Sequence, residues 1–182
     1  YLFTSKAEFK VNKDLTVSAE PYFWYGYGTG GRQLTTLTEG RSATQTLAQS
    51  SRDINGDGDL LDRVMVYGSS LTETNRPGVT FKANYRVENH NINVGYWVER
   101  AQHVQTGPRV KIDNAGNSAN LWLDDTSAYL LRADGKPYQA RDWKTISTGT
   151  SFFVQDSISL MQDKLNVQIG LKNSAIDRDF TN

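Results

Sequence analysis

The chain has 182 residues and a formal net charge of zero, because 20 basic side chains are matched by 20 acidic ones. This balance argues against a nucleic-acid-binding surface and against a polybasic membrane tether. The absence of cysteine excludes a disulfide framework and a thiolate metal site. No apolar run approaches the roughly 18 residues of a transmembrane helix, and no signal peptide opens the chain. We therefore expect an internal or trimmed part of a longer protein.

The first predicted element is a β-hairpin over residues 2–27. In residues 15–27 most apolar side chains occupy alternate positions, with mainly polar ones between them. A strand places alternate side chains on opposite faces, so this segment is predicted to be a long strand with one apolar and one polar face. The run before it alternates in the same way, and Asn12-Lys13-Asp14 between the two predicts a tight turn.

A long polar segment, 28–63, follows and contains a candidate calcium site. Residues 53–62 read D-I-N-G-D-G-D-L-L-D, and their spacing matches positions 1, 3, 5 and 6 of a calcium-binding loop, with Gly58 allowing the sharp turn. The closing acid of such a loop is absent, because the twelfth position is Val64. The alternative is an acidic, glycine-rich loop without a metal. The candidate ligands are Asp53, Asn55, Asp57, Asp59 and Asp62, of which Asp59 or Asp62 would replace the closing acid.

Two more hairpins are predicted, over about 64–102 and 145–175. The first turns at Glu88-Asn89-His90 and the second at Gln162-Asp163-Lys164. One strand of the last hairpin is less regular, because Asp156 shares its parity with apolar residues, which indicates either a position at the membrane interface or a β-bulge. A short helical turn over 40–51 is the one helix expected. The long segment 103–144 between the hairpins contains Asp134-Gly135, which indicates a structural turn. The alternative is ligand contact in this segment, with Trp122 and Tyr129 as the candidate residues.

The charged residues of the cleaner strands all fall on the polar face. A charge that faced lipid near the middle of a membrane would cost roughly 2–4 kcal/mol for lysine or arginine. The length of the strands, the short turns and the long loops are typical of a transmembrane β-barrel. A soluble antiparallel sheet with one face on a core is the alternative. The charged residues are Lys6, Glu8, Lys10, Glu20, Lys82, Arg86 and Glu99.

Aromatic residues crowd toward the predicted outer ends of the strands. Those on the apolar face are predicted to form an interfacial girdle, although aromatic residues also favour strands in general. They are Phe23, Tyr25, Tyr27 and Tyr96. Those on the polar face are candidates for ligand contact near the mouth of a barrel, the alternative being packing against a plug or loop. They are Tyr22, Trp24 and Trp97.

A hairpin pattern, F-x-Q-D followed by D-x-L-x-x-x-x-G-L-R/K, occurs near the end of the chain. The matching residues are Phe153, Gln155, Asp156, Asp163, Leu165, Gly170, Leu171 and Lys172. Together with residues 7–28, this hairpin resembles barrel strands of TonB-dependent outer-membrane receptors, and the resemblance covers about half of the chain.

This resemblance implies a barrel of about 22 strands with an N-terminal plug and a short TonB-contacting box. Receptors of this family import scarce ligands, often iron–siderophore complexes. The chain itself is predicted to supply about six strands, fewer than the roughly eight of the smallest usual bacterial barrel, and it contains no recognisable plug or TonB box. The resemblance therefore implies a multi-pass barrel segment in the outer membrane of a Gram-negative cell. Its implied partners are outer-membrane lipid, the missing strands and plug, TonB, and a small-molecule or metal-chelate ligand.

Three classes of function are compatible with the sequence, and none is enzymatic. The first is ligand uptake by a TonB-dependent receptor, the second is a porin or other passive channel, and the third is a soluble calcium- or carbohydrate-binding β module. No catalytic motif is present. The two histidines, His90 and His103, are separated by a whole predicted strand, which argues against a shared metal site or a catalytic triad.

Overall fold

The computed structural model describes residues 1–40, 43–44, 46, 52–118, 120 and 122–182. All regular elements in these residues are β-strands, so the predicted all-β class is confirmed. The predicted helical turn over 40–51 lies largely outside the described residues. Within the described residues, no helix is long and apolar enough to cross a membrane. The strands are β1 (Leu2–Thr4), β2 (Ala7–Lys10), β3 (Leu15–Thr38), β4 (Arg63–Val87), β5 (His90–Val110), β6 (Gln139–Leu160) and β7 (Leu165–Thr181).

These strands form one antiparallel sheet, as predicted. Its order is β1-β3-β4-β5-β6-β7, and β2 also pairs with β3. Phe3 lies opposite Phe23, and Phe9 lies opposite Val17. In the described part of the chain the first and last strands of this order do not pair with each other, so the sheet is open and not closed into a barrel.

The first predicted strand is divided in the structure into β1 and β2. The interruption falls opposite Pro21 of β3, whose carbonyl accepts a hydrogen bond from the Ser5 amide at 3.1 Å. Proline has no amide hydrogen to return, so the ladder loses a hydrogen bond at this point. The register is the same on both sides of the gap, because Thr4 pairs with Tyr22 and Ala7 pairs with Ala19.

The later strands are longer than the sequence pattern predicts. β3 continues to Thr38, β5 continues to Val110, and β6 begins at Gln139. The connections are therefore 39–62 and 111–138 instead of the predicted loops 28–63 and 103–144. Residues 28–38 and 103–110 are glycine-rich or polar at most positions, so they carry no apolar alternation that would identify them as strands.

The first of two compact units comprises Tyr1–Gly26, Thr74–His103 and Thr145–Thr181. Neighbouring residues of its strands point to opposite faces, and one face is apolar. Large side chains on this face are exposed, including Phe81 at 50% and Phe152 at 52%. They border an apolar groove of about 540 Å³. Other apolar residues lining it are Ala7, Phe9, Val17, Ala19, Ala83, Val94 and Tyr96.

The second unit comprises Tyr27–Glu73, Val104–Lys144 and Asn182. It has a small core of Leu71, Val110 and Leu123, against which partly buried aromatic rings pack. All the buried hydrophobic residues of the described chain lie in this unit, namely Ile54, Val66, Leu71, Val110, Leu123 and Tyr138. The packing of these loop and strand side chains against one another stabilises this unit.

Candidate functional site

The polar face of the first unit holds a hydrogen-bonded network around Glu99. This residue lies on β5 and is only 7% exposed. The Tyr22 hydroxyl donates to its Oε2 at 2.5 Å. The Arg76 guanidinium donates to its Oε1 through Nε at 3.0 Å and Nη2 at 2.8 Å. Both carboxylate oxygens are therefore occupied, and the buried charge is neutralised by a guanidinium that donates two hydrogen bonds to one of them.

Two tryptophans extend this network, which we call the Glu99 network (Tyr22, Trp24, Arg76, Trp97 and Glu99). Trp97 Nε1 donates to the Tyr22 hydroxyl at 2.9 Å. The Arg76 guanidinium lies 5.9 Å from the centre of the Trp24 ring, within range of a cation–π interaction. The structure thus brings together the three aromatic residues predicted on the polar face, and it adds Arg76 and Glu99 as their partners.

Glycines make room for the rings of this network. A Cβ atom at Gly78 would overlap the Tyr22 ring, and one at Gly149 would lie 2.8 Å from the Trp97 ring. Side chains at these positions would displace the rings and with them the hydrogen bonds to Glu99. The network is therefore packed against the backbone of neighbouring strands, and its groups bind one another.

The polar face continues toward the short turns as a charged groove of about 540 Å³. Lys82 Nζ lies 2.6 Å from Glu20 Oε2, and Asn84 donates to the side-chain oxygens of Asn91 and Asn93. The groove offers both signs of charge to water or to a polar ligand. Its charged lining residues are Lys6, Glu8, Lys10, Lys13, Asp14, Glu20, Lys82 and Arg86.

The two histidines contact different partners. His90, the first residue of β5, lies with Nδ1 2.6 Å from Asp156 Oδ2, and His103 Nδ1 lies 2.6 Å from the Thr74 hydroxyl. Asp156, which interrupts the apolar alternation of β6, therefore has His90 as its partner near the end of that strand. β6 runs without interruption through this residue.

The two aromatic candidates of the long loop belong to the second unit and differ in exposure. The Trp122 side chain is exposed, and its carbonyl accepts a hydrogen bond from the Tyr27 hydroxyl at 2.9 Å. Tyr129 packs on the core of this unit and donates to the Leu123 carbonyl at 3.2 Å. Burial, with a contribution from Asp125, raises the Tyr129 pKa. Tyr129 is thus a packing residue, and Trp122 is the exposed aromatic of the two.

The acidic segment 53–62 of the second unit is folded by its own side chains. Asp53 accepts hydrogen bonds from the Gly56 and Gly58 amides. Both glycines have positive φ, +86° and +96°, as the predicted sharp turn requires. The Asn55 amide nitrogen donates to Asp57 at 2.9 Å and to Asp62 at 2.8 Å. Asp53 therefore shapes the turn, while the later carboxylates gather on one side of Asn55.

A residue that the sequence did not identify, Glu39, completes this acidic group. Carboxylate oxygens of Glu39, Asp59 and Asp62 lie within 4.8 Å of one another. A hydrogen bond with Asp57 raises the pKa of Asp62, whereas the Asp59 amide, together with other hydrogen bonds, lowers the pKa of Asp57. Glu39 directly follows β3, so only the pairing of β3 with β4 brings it to this loop.

No protein-family model, curated protein or solved structure matches the chain.

Proposed function

We propose that the chain forms part of the barrel wall of an outer-membrane receptor for TonB-dependent uptake of a scarce ligand, such as an iron–siderophore complex. The observation that carries this proposal is the exposed apolar face of the first unit. In this unit, large apolar side chains such as Phe81, Phe152 and Ile169 are at least half exposed. Lipid would cover this face as a core covers the sheet of a soluble protein.

The distribution of charge supports the same proposal. On β4, Lys82 lies on the polar face and ion-pairs with Glu20, while its neighbour Phe81 lies on the apolar face. A barrel wall needs this division, because its lumen holds water and its outside holds hydrocarbon. The aromatic side chains of Phe23 and Tyr96, 41% and 45% exposed on the apolar face, suit an interfacial girdle.

The polar face supplies the features expected of a receptor lumen. The Glu99 network presents aromatic rings and one half-exposed guanidinium, since the Arg76 side chain is 47% exposed. The aromatic rings suit a conjugated chelate, and the exposed part of the Arg76 guanidinium, which is paired with Glu99, offers it a hydrogen-bond donor. A complete receptor would add the remaining strands, the plug and TonB to this wall, as the resemblance of the strands implies.

The proposal is tested in cells that make the complete protein. We expect it to leave the outer membrane only in detergent and to change its gel mobility on boiling, as closed barrels do. Under iron limitation, we expect uptake of a radioactive ferric siderophore, tested with one hydroxamate and one catecholate chelate. Deleting either the protein or TonB should abolish this uptake.

Two results would replace this proposal with one of its alternatives. Uptake or solute permeation that persists without TonB would identify a porin or other passive channel. Recovery of the folded protein in buffer without detergent would instead identify a soluble binding module.

A further inference from the structure

We propose that Glu39, Asp59 and Asp62 bind one calcium ion that ties the ends of β3 and β4 to the acidic loop. Three carboxylate oxygens of these residues lie within 4.8 Å of one another. Ca²⁺ binds oxygen at about 2.3–2.6 Å, so ligands on opposite sides of the ion are separated by about 4.6–5.2 Å. The three oxygens therefore fit within a single coordination shell.

The second and independent observation is a buried oxygen of Glu39. The residue is 5% exposed, and its Oε2 is buried without a hydrogen-bond partner in the described part of the chain. The other oxygen, Oε1, accepts hydrogen bonds from the Ile54 amide at 2.5 Å and the Asn55 amide at 3.4 Å. A carboxylate oxygen buried without a partner is destabilising. A cation among these carboxylates would supply the missing partner.

The backbone fixes Glu39 where a closing ligand is needed. Its amide donates to the Asp62 carbonyl at 2.9 Å, at the point where β3 and β4 diverge into the loop. The sequence pattern lacks an acid at the twelfth loop position, which is Val64. Glu39, the residue after β3, would provide that acid. The Asn55 amide nitrogen donates to both Asp57 and Asp62, which holds the Asp57 carboxylate beside the group.

The donor set selects calcium over other common cations. All three groups are carboxylates, whereas zinc sites usually contain imidazole or thiolate ligands. Mg²⁺ requires a near-ideal octahedron and usually keeps several waters, whereas Ca²⁺ accepts six to eight oxygens in less regular geometry. The site lies outside the Glu99 network and the apolar face, so this inference goes beyond the proposed uptake function.

The test is calcium binding by the purified complete protein, measured by isothermal titration calorimetry after removal of divalent ions with a chelator. We expect a dissociation constant between about 10⁻⁷ and 10⁻³ M, the range of sensor and extracellular sites. Calcium should also slow trypsin cleavage after Arg52, which precedes the loop. Excess chelator should restore cleavage, and Mg²⁺ at the same concentration should have a much smaller effect.

Charge-removing variants make the ligand assignment falsifiable. Glu39→Gln should weaken calcium binding roughly tenfold or more, because ligand charge sets affinity in such sites. Asp59→Asn should do the same, and because Asp59 is exposed it also serves if Glu39→Gln reduces folding. The matched control is Glu73→Gln, an exposed acid on β4 outside the group, which should bind like the unmodified protein. Absence of calcium binding up to about 10 mM, well above the usual range, or unchanged affinity in both ligand variants, would overturn the proposal.

Discussion

Replacing Phe81 by arginine is expected to destabilise the folded protein in its membrane by roughly 2–4 kcal/mol if this position lies near the bilayer midplane, and by less toward either interface. Phe81 is half exposed on the apolar face and borders the apolar groove. In the proposed barrel its side chain contacts hydrocarbon, where a guanidinium cannot be hydrated without distorting the bilayer. The measurement is the urea midpoint of the protein folded into lipid vesicles, together with the yield of heat-modifiable protein.

The matched control is Thr80→Arg, one residue earlier on the same strand and on the polar face. Because the Thr80 side chain lies on the polar face of the sheet, we expect Thr80→Arg to reduce stability by much less than Phe81→Arg. Equal effects of the two substitutions would mean that both faces meet the same medium, and the lipid-facing assignment would be lost.

Removing the Glu99 carboxylate should produce the second large effect. Glu99→Ala leaves the Arg76 guanidinium and the Tyr22 hydroxyl without their shared acceptor. Breaking a buried pair costs about 3–5 kcal/mol, but Arg76 is half exposed and water can partly replace its partner. We therefore expect a loss of about 2 kcal/mol, measured as a lower unfolding midpoint with an unchanged denaturant slope.

Two further variants separate the charge from the packing of Glu99. Glu99→Gln keeps one acceptor oxygen and the shape of the side chain, so its loss should be smaller than that of Glu99→Ala. The control is Asp177→Asn, which changes an exposed acid of β7 outside the network. This variant should leave the unfolding midpoint unchanged within error. The network would not be a stabilising feature if Glu99→Ala unfolded at the same midpoint as the Asp177 control.

The period-two pattern predicted the strands wherever their two faces differ in polarity. The alternation that puts Phe81 and Lys82 on opposite faces identifies both a strand and its two faces. The structure agrees that this segment is a strand in an antiparallel sheet. The pattern failed in 28–38 and 103–110, because strands that are polar on both faces have no alternation to detect. It also missed the break opposite Pro21, which depends on which residue of one strand faces which residue of the next.

For the candidate sites, the alternation of the sequence predicted which face of the sheet a residue occupies, but not which residues it contacts on neighbouring strands. Tyr22, Trp24 and Trp97 share the polar face, and this alone grouped them. Their pairing with Arg76 and Glu99 depends on the stagger of three strands, which a single sequence does not fix. Glu39 was missed for the same reason, since it reaches segment 53–62 only through the neighbouring ends of β3 and β4. The loop spacing, in contrast, correctly predicted the glycine turn at Gly58.

The most direct test of the lipid-facing sheet compares two adjacent positions of β4 by spin labelling. The chain has no cysteine, so Phe81→Cys and Lys82→Cys each provide one attachment site within it. In the complete protein in lipid vesicles, the label at position 81 should collide mainly with oxygen, which concentrates in the bilayer. The label at position 82 should collide mainly with a water-soluble nickel chelate. Preferential collision with the nickel chelate at both positions would contradict the assignment of one face to lipid and the other to water.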